Sequence, residues 1–268
     1  NTTAELSGFT ITNGNSENGG GIHCHTASPK LTGLIISENS ANSGGGVYIY
    51  YSADPSFTDV TISGNTASSG GGIYCVTASP ELTGLIISDN TADTHGGGVY
   101  IYDYADPTFT NVTISGNVAD VEGGGIWTNR NSSPSFTNVT MSNNEASVAG
   151  GIMIRDNSDP TLTNVTISNN VADNTGGGIM ILLSSSPTFS NLTVSNNEAG
   201  YGAGVFIESN NSDPIFTDVT ISGNAADDNG GGIYLHMDCE PVFTNLKLLN
   251  NTADYGGGIY TQRDIVGI

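Results

Sequence analysis

Pro107–Trp127 reads PTFTNVTISGNVADVEGGGIW, and the fold follows from it. Phe109 is apolar and Thr110 polar. After Asn111 the residues Val112, Thr113, Ile114 and Ser115 alternate again, and beyond a polar connection Ile126 opens a third run. Alternation with period two over such short runs marks strands. Each run is too short for a helix, β-branched residues are abundant, and the bends hold Asn and Gly, which tolerate left-handed backbone angles.

The unit recurs along the chain. The last glycine of its closing cluster falls at Gly21, Gly46, Gly72, Gly98, Gly125, Gly151, Gly178, Gly204, Gly232 and Gly258, at spacings of 25 to 28 residues. A unit of three short strands cannot bury its own apolar side, so copies stack, each strand pairing in parallel with its equivalent one coil away. The predicted fold is all-β: a single-stranded parallel β-helix of about ten coils of about 26 residues, three short strands per coil, in one domain over 1–268. Stacking in register sets like residues over like at about 4.8 Å, so each column should be chemically uniform. A longer period overlies the first, since GGGIHCHTASPKLTGLIISENSA from Gly19 returns as GGGIYCVTASPELTGLIISDNTA from Gly70. Neither end carries a cap pattern. The chain is therefore expected to be part of a longer protein, or to make end-to-end or neighbouring-domain contacts through its terminal coils.

The columns bear this out at sequence level. All nine prolines, from Pro29 to Pro241, open the first strand of a coil, where no interior ladder bond is lost. Leu31, Phe57, Leu82, Phe109, Phe136, Leu162, Phe189, Phe216 and Phe243 form one inward column, and Ile126 with its equivalents another. Asn39, Asn65, Asn90, Asn117, Asn144, Asn170, Asn197, Asn224 and Asn251 are expected to form a buried ladder, each amide bonding its neighbours and the local backbone. The alanines that follow, from Ala41 to Ala253, suit a tight inward turn. Cys24 and Cys75 share an inward column with Ile49 between them, which puts them about 9.6 Å apart, beyond disulfide reach. Both should act as small core hydrophobes.

Composition limits the partners. A net charge of −21, with five basic residues in 268, opposes binding to nucleic acid or an anionic membrane. No run approaches a membrane span, and the first residues lack a targeting pattern. Little Lys and much Asn, Thr, Ser and Gly fit a secreted or cell-surface, extracellular protein.

The repeated GGGI, as at Gly123–Ile126, and IxxN, as at Ile114–Asn117, resemble the GGAI and FxxN motifs of polymorphic outer-membrane and adhesin-type repeats, each departing by one residue. The chain thereby resembles the right-handed parallel β-helix repeat proteins of bacteria, the superfamily that includes pectate lyases. The resemblance implies a right-handed coil along essentially the whole chain. That coil serves lyases, hydrolases, tailspikes and adhesins alike.

Sites must lie on outward columns. The residue after the first apolar position of the third strand runs His23, Tyr48, Tyr74, Tyr100, Trp127, Met153, Met180, Phe206, Tyr234 and Tyr260. Widened by Tyr50 and Tyr102, this stripe is the candidate surface for stacking sugar rings or a protein partner. Asp54, Asp106, Asp159 and Asp213, each before a proline, are the candidate calcium ligands, since hard cations with oxygen ligands relieve repeated like charges. No other cofactor is indicated. GGGI is followed by no Lys-Ser/Thr and opens no helix, so it is not a phosphate cradle. His23 and His25 supply only two metal ligands.

Non-enzymatic action as an adhesin-like module or structural stalk is the leading expectation. A polysaccharide lyase or glycoside hydrolase is one alternative, although a lyase needs clustered cations and Lys30, Arg130, Arg155, Lys247 and Arg263 are scattered; only Arg130 and Arg155 fall in adjacent coils. The other alternative is ice binding through Thr/Ser arrays such as Thr113/Ser115 and Thr166/Ser168, beside a ladder from Thr32 to Thr244 and interrupted at Ile35, Ile86 and Lys247.

Overall fold

The structure is a computed structural model that describes residues 4–208, 211–237 and 239–262. Its strands all pair in parallel with their equivalents in neighbouring coils, in three sheets. We number the coils from the strand after each proline, so that coil 1 begins at Glu5, coil 5 at Thr108 and coil 10 at Val242. Phe109 pairs with Phe136 and both are buried, their rings stacked at 4.7 Å. Ile49 pairs with Cys24 on one side and Cys75 on the other, and all three are buried.

Each coil contributes to three sheets, but they are shared out differently from the three runs of the sequence. The two runs flanking Asn111 belong to one sheet, bent at a residue in the left-handed region (Asn111, φ 55°). From coil 7 onward they merge into single strands, such as Thr161–Ser168. The second sheet comes from the stretch taken as a polar connection: Val118–Glu122 and its equivalents are strands. Their only regular inward residue is alanine, as at Ala92, Ala119 and Ala146. A single methyl per strand leaves almost no apolar period to detect. Register shifts in this sheet, as between Ala119 and Glu122, absorb the variable coil length. Ile126–Asn129 and its equivalents make the third sheet.

The asparagine ladder is present from Asn39 to Asn251. Asn117 donates from Nδ2 to Asn144 Oδ1 and to Ile87 O, each at 3.0 Å, and from its backbone amide to the same Oδ1 at 3.0 Å. Each buried carbonyl oxygen thus accepts two donors from the preceding coil, and the turn keeps no unmet amide. A second buried polar ladder accompanies it. Two residues before the prolines, Ser132, Ser158, Ser185 and Ser212 are buried, each hydroxyl accepting the backbone amide of the preceding coil's member of the column at 3.2–3.3 Å.

The glycines of the cluster have separate tasks. Gly123 combines φ +69° with a contact, since its Cβ would lie 2.6 Å from Ile126 O, whereas Gly125 is required by contact alone: a Cβ there would lie 2.5 Å from Gly151 O.

Candidate functional site

The outward column of the third sheet is in unbroken register, Tyr74 on Tyr100 on Trp127 on Met153. Its rings lie face to face along the rod. Centroids are 4.4 Å apart for Tyr74–Tyr100, 4.5 Å for Tyr100–Trp127 and 4.7 Å for Phe206–Tyr234. This corrects the reading of the stripe as an open stacking surface. Tyr100, Trp127, Met153, Met180, Phe206 and Tyr234 are buried in a second apolar cluster outside the coil, with Tyr74 and Tyr260 packed against it. Each ring face is covered by the next side chain of the column, which is a ring except where Met153 follows Trp127 and Met180 precedes Phe206. Burial pushes the Tyr74 phenol up to about 12, and moves Tyr100 in the same direction.

A polar cluster seals the stripe over coils 4 to 6. Glu122 accepts Trp127 Nε1–H at 2.8 Å and Arg155 Nη1–H at 3.2 Å, and His95 Nε2 stands 3.7 Å from the same carboxylate oxygen. Burial lowers the His95 pKa, with Glu122 opposing and Arg155 adding to the shift. Arg130 lies over the Tyr102 ring at 5.2 Å. Arg130 and Arg155 are thus engaged separately, one on an aromatic face and one on a carboxylate. Arg263 lies outside the described residues.

The stripe opens at its widening column, where Tyr50 and Tyr102 pair with the same residue, Val76 of coil 3. His25 stacks on Tyr50 from the coil-1 side, with planes 12° apart. Trp127 and Arg130, both of coil 5, take the far side of Tyr102. The two faces that look toward coil 3 have only Val76 between them. With coils at about 4.8 Å, the tyrosine columns are about 9.6 Å apart. A flat ring in van der Waals contact on both sides needs about 7–8 Å. The result is a narrow slot with aromatic walls over Val76, which is only 8% exposed. Beside its floor, Thr77 Oγ1 is buried with no hydrogen-bond partner. At the adjoining corner Tyr51 and Tyr104 are 58% and 65% exposed, each in a pair of consecutive left-handed residues, Tyr51–Ser52 and Asp103–Tyr104. The same left-handed pair recurs at Arg130–Asn131, Asp156–Asn157 and Leu183–Ser184, so the corner geometry belongs to the repeat and only the exposed tyrosines distinguish this part of it.

The calcium candidates are not brought together. Asp54, Asp106, Asp159 and Asp213 alternate with serines in one exposed column, so the carboxylates are two coils apart. Each carboxylate accepts a backbone amide from the next coil, from Ser79, Ser133, Ser186 and Glu240 respectively. Among the described residues no group of three or more His, Cys, Asp or Glu has the geometry to hold a metal ion. Asp93, Asp120, Asp173 and Asp227 lie within strands of the second sheet. Cys24 and Cys75 are buried, and desolvation pushes the Cys24 thiol up to about 11, with Cys75 also raised.

The family described as right handed beta helix region matches residues 1–118 and, in an overlapping match, 71–253. The chain belongs to this right-handed β-helix family. No curated protein and no solved structure gives a significant match. Membership in the right-handed β-helix family accounts for the coil and its ladders, and leaves function to the outward columns.

Proposed function

We propose that this β-helix is a non-enzymatic, adhesin-like module of a secreted or cell-surface protein, and that it holds a glycan with one sugar ring inserted between Tyr50 and Tyr102. The observation that carries the reading is the missing aromatic at Val76. It leaves the two tyrosine faces that look toward coil 3 without a ring stacked between them, in a column whose other faces are taken by His25, Trp127 and Arg130. Sugar rings present apolar C–H faces to aromatic planes, and hydroxyls at their rims suit the exposed Tyr51 and Tyr104. Rigidity comes from the stacked coils, so the slot loses little conformational entropy on binding.

The test is a glycan array probed with the wild-type chain and with Val76→Tyr, which completes the aromatic column and fills the slot. Binding that falls at least tenfold in Val76→Tyr and in Tyr102→Ala is expected, with the far-ultraviolet spectrum unchanged. Absence of glycan binding, or binding indifferent to Val76→Tyr, overturns the slot. Release of reducing ends or unsaturated products from a bound glycan overturns the non-enzymatic reading. Capture of a protein ligand in place of a glycan overturns the choice of ligand.

A further inference from the structure

The first sheet carries a second regular surface on a different side of the coil. Four outward columns cross it, passing in coil 7 through Thr161, Thr163, Thr166 and Ser168. Over coils 5 to 9 these columns comprise twenty positions in continuous register. Nineteen are Thr or Ser and the exception is Ile215. None is charged, on a chain whose net charge is −21. The bend column between them holds Asn in four of the five coils and Asp218 in the fifth. Ser135 donates to Thr108 and Ser190 to Thr163, and the other array hydroxyls make no side-chain hydrogen bond among the described residues. They are exposed or half-buried.

Such a surface is a poor match for most partners. It lacks the apolar area for a protein interface, the cations for an anionic polymer and the aromatic rings for sugar stacking. It does match water. Hydrogen-bonded oxygens are about 2.75 Å apart, so two waters tetrahedrally bonded to a common third lie about 4.5 Å apart. The coil spacing of about 4.8 Å departs from this by about 0.3 Å. Across the four intervals between coils 5 and 9 the mismatch reaches about 1.2 Å, under half a hydrogen-bond length. Threonine adds a methyl group beside each hydroxyl, which keeps bound water in order around it. The neutrality of the array columns is what an ordered, uncharged lattice requires, because an isolated charge imposes its own hydration geometry; the one charge between them is Asp218, in coil 9 at the edge of the region.

We propose that the Thr/Ser face of coils 5 to 9 binds ice. This surface is separate from the tyrosine slot, so the two readings stand or fall independently. The test freezes the purified chain, fluorescently labelled, into a slowly grown ice hemisphere and measures thermal hysteresis in parallel. Thr166→Lys places a charge at the centre of the array, and Ser68→Lys places the same charge on the exposed face of the second sheet as a control. Wild type and Ser68→Lys should enter the ice, with Thr166→Lys reduced at least fivefold and its unfolding transition unchanged. Exclusion of the wild type from ice overturns the proposal. So does incorporation of Thr166→Lys at the wild-type level. Retention on crystalline cellulose or chitin without entry into ice likewise overturns it.

Discussion

Arg155 of coil 6 reaches back to Glu122 of coil 5, Nη1 to Oε2 at 3.2 Å, beside the Trp127 indole that donates to the same oxygen. The Glu122 and Arg155 side chains are 19% and 28% exposed, so this pair is better shielded than a surface ion pair. Glu122→Gln should destabilise the chain by about 1–3 kcal/mol, because it removes a charge-assisted acceptor and leaves Arg155 half-buried without its partner. Arg155→Met in the same background should recover part of the loss. Denaturant midpoints of the three variants check this.

His95 gives the same cluster a pH dependence. Its folded pKa is lowered from 6.5, chiefly by burial, so the unfolded chain takes up the proton first as pH falls. Stability from this group is therefore fully present above pH 6.5 and declines as pH drops toward the folded value. His95→Gln should flatten that part of the curve. Thermal midpoints measured between pH 7.5 and 5 in both proteins give the comparison.

The two asparagine ladders should respond very differently to truncation. Asn117→Ala strips the acceptor from the backbone amide and Nδ2 of Asn90, both buried, and should cost about 2–4 kcal/mol. Asn138 belongs to an exposed ladder, donating to Asn111 Oδ1 at 3.0 Å in contact with solvent. Asn138→Ala should cost only about 1 kcal/mol, chiefly because alanine tolerates its left-handed backbone (φ 56°) less well than asparagine does. Equal effects would show that the buried ladder is not what satisfies the turn.

Gly125→Ala should destabilise by about 1–3 kcal/mol through overpacking, since its methyl would overlap Gly151 O and crowd Asn144 Nδ2. A Cβ on the first glycine of the cluster would also meet backbone, 2.6 Å from Ile126 O, but that column already accommodates Ala149 at φ 57° whereas the third holds glycine in every coil. Gly123→Ala should therefore cost less than Gly125→Ala, and chemical denaturation of the pair ranks them.

Trp127→Ala should lower stability by about 3–5 kcal/mol, as expected for a buried aromatic. It should leave glycan affinity within twofold, because the indole lies on the covered side of Tyr102 rather than in the slot. Isothermal titration with the best array ligand, alongside Tyr102→Ala, separates the structural ring from the binding one.

What the sequence alone determined is the part of the molecule governed by repetition. Parallel stacking in register makes every column a near-copy of itself, so Phe109 over Phe136, Asn117 over Asn144 and Cys24 beside Ile49 were legible from spacing and alternation. The second sheet was not, because Ala119 is its sole inward anchor and one methyl leaves no detectable period. The serine ladder through Ser132 is not legible either, because serine near a proline reads as an ordinary turn. Exposure was decided only by tertiary structure. Alternation says that Trp127 points away from the coil, but its accessibility depends on Glu122 and His95 from one flanking column and Arg155 from the other, residues up to 60 positions apart in the chain. The same holds for Val76, an unremarkable residue in a list, which becomes the floor of a slot once Tyr50 and Tyr102 are placed on either side of it.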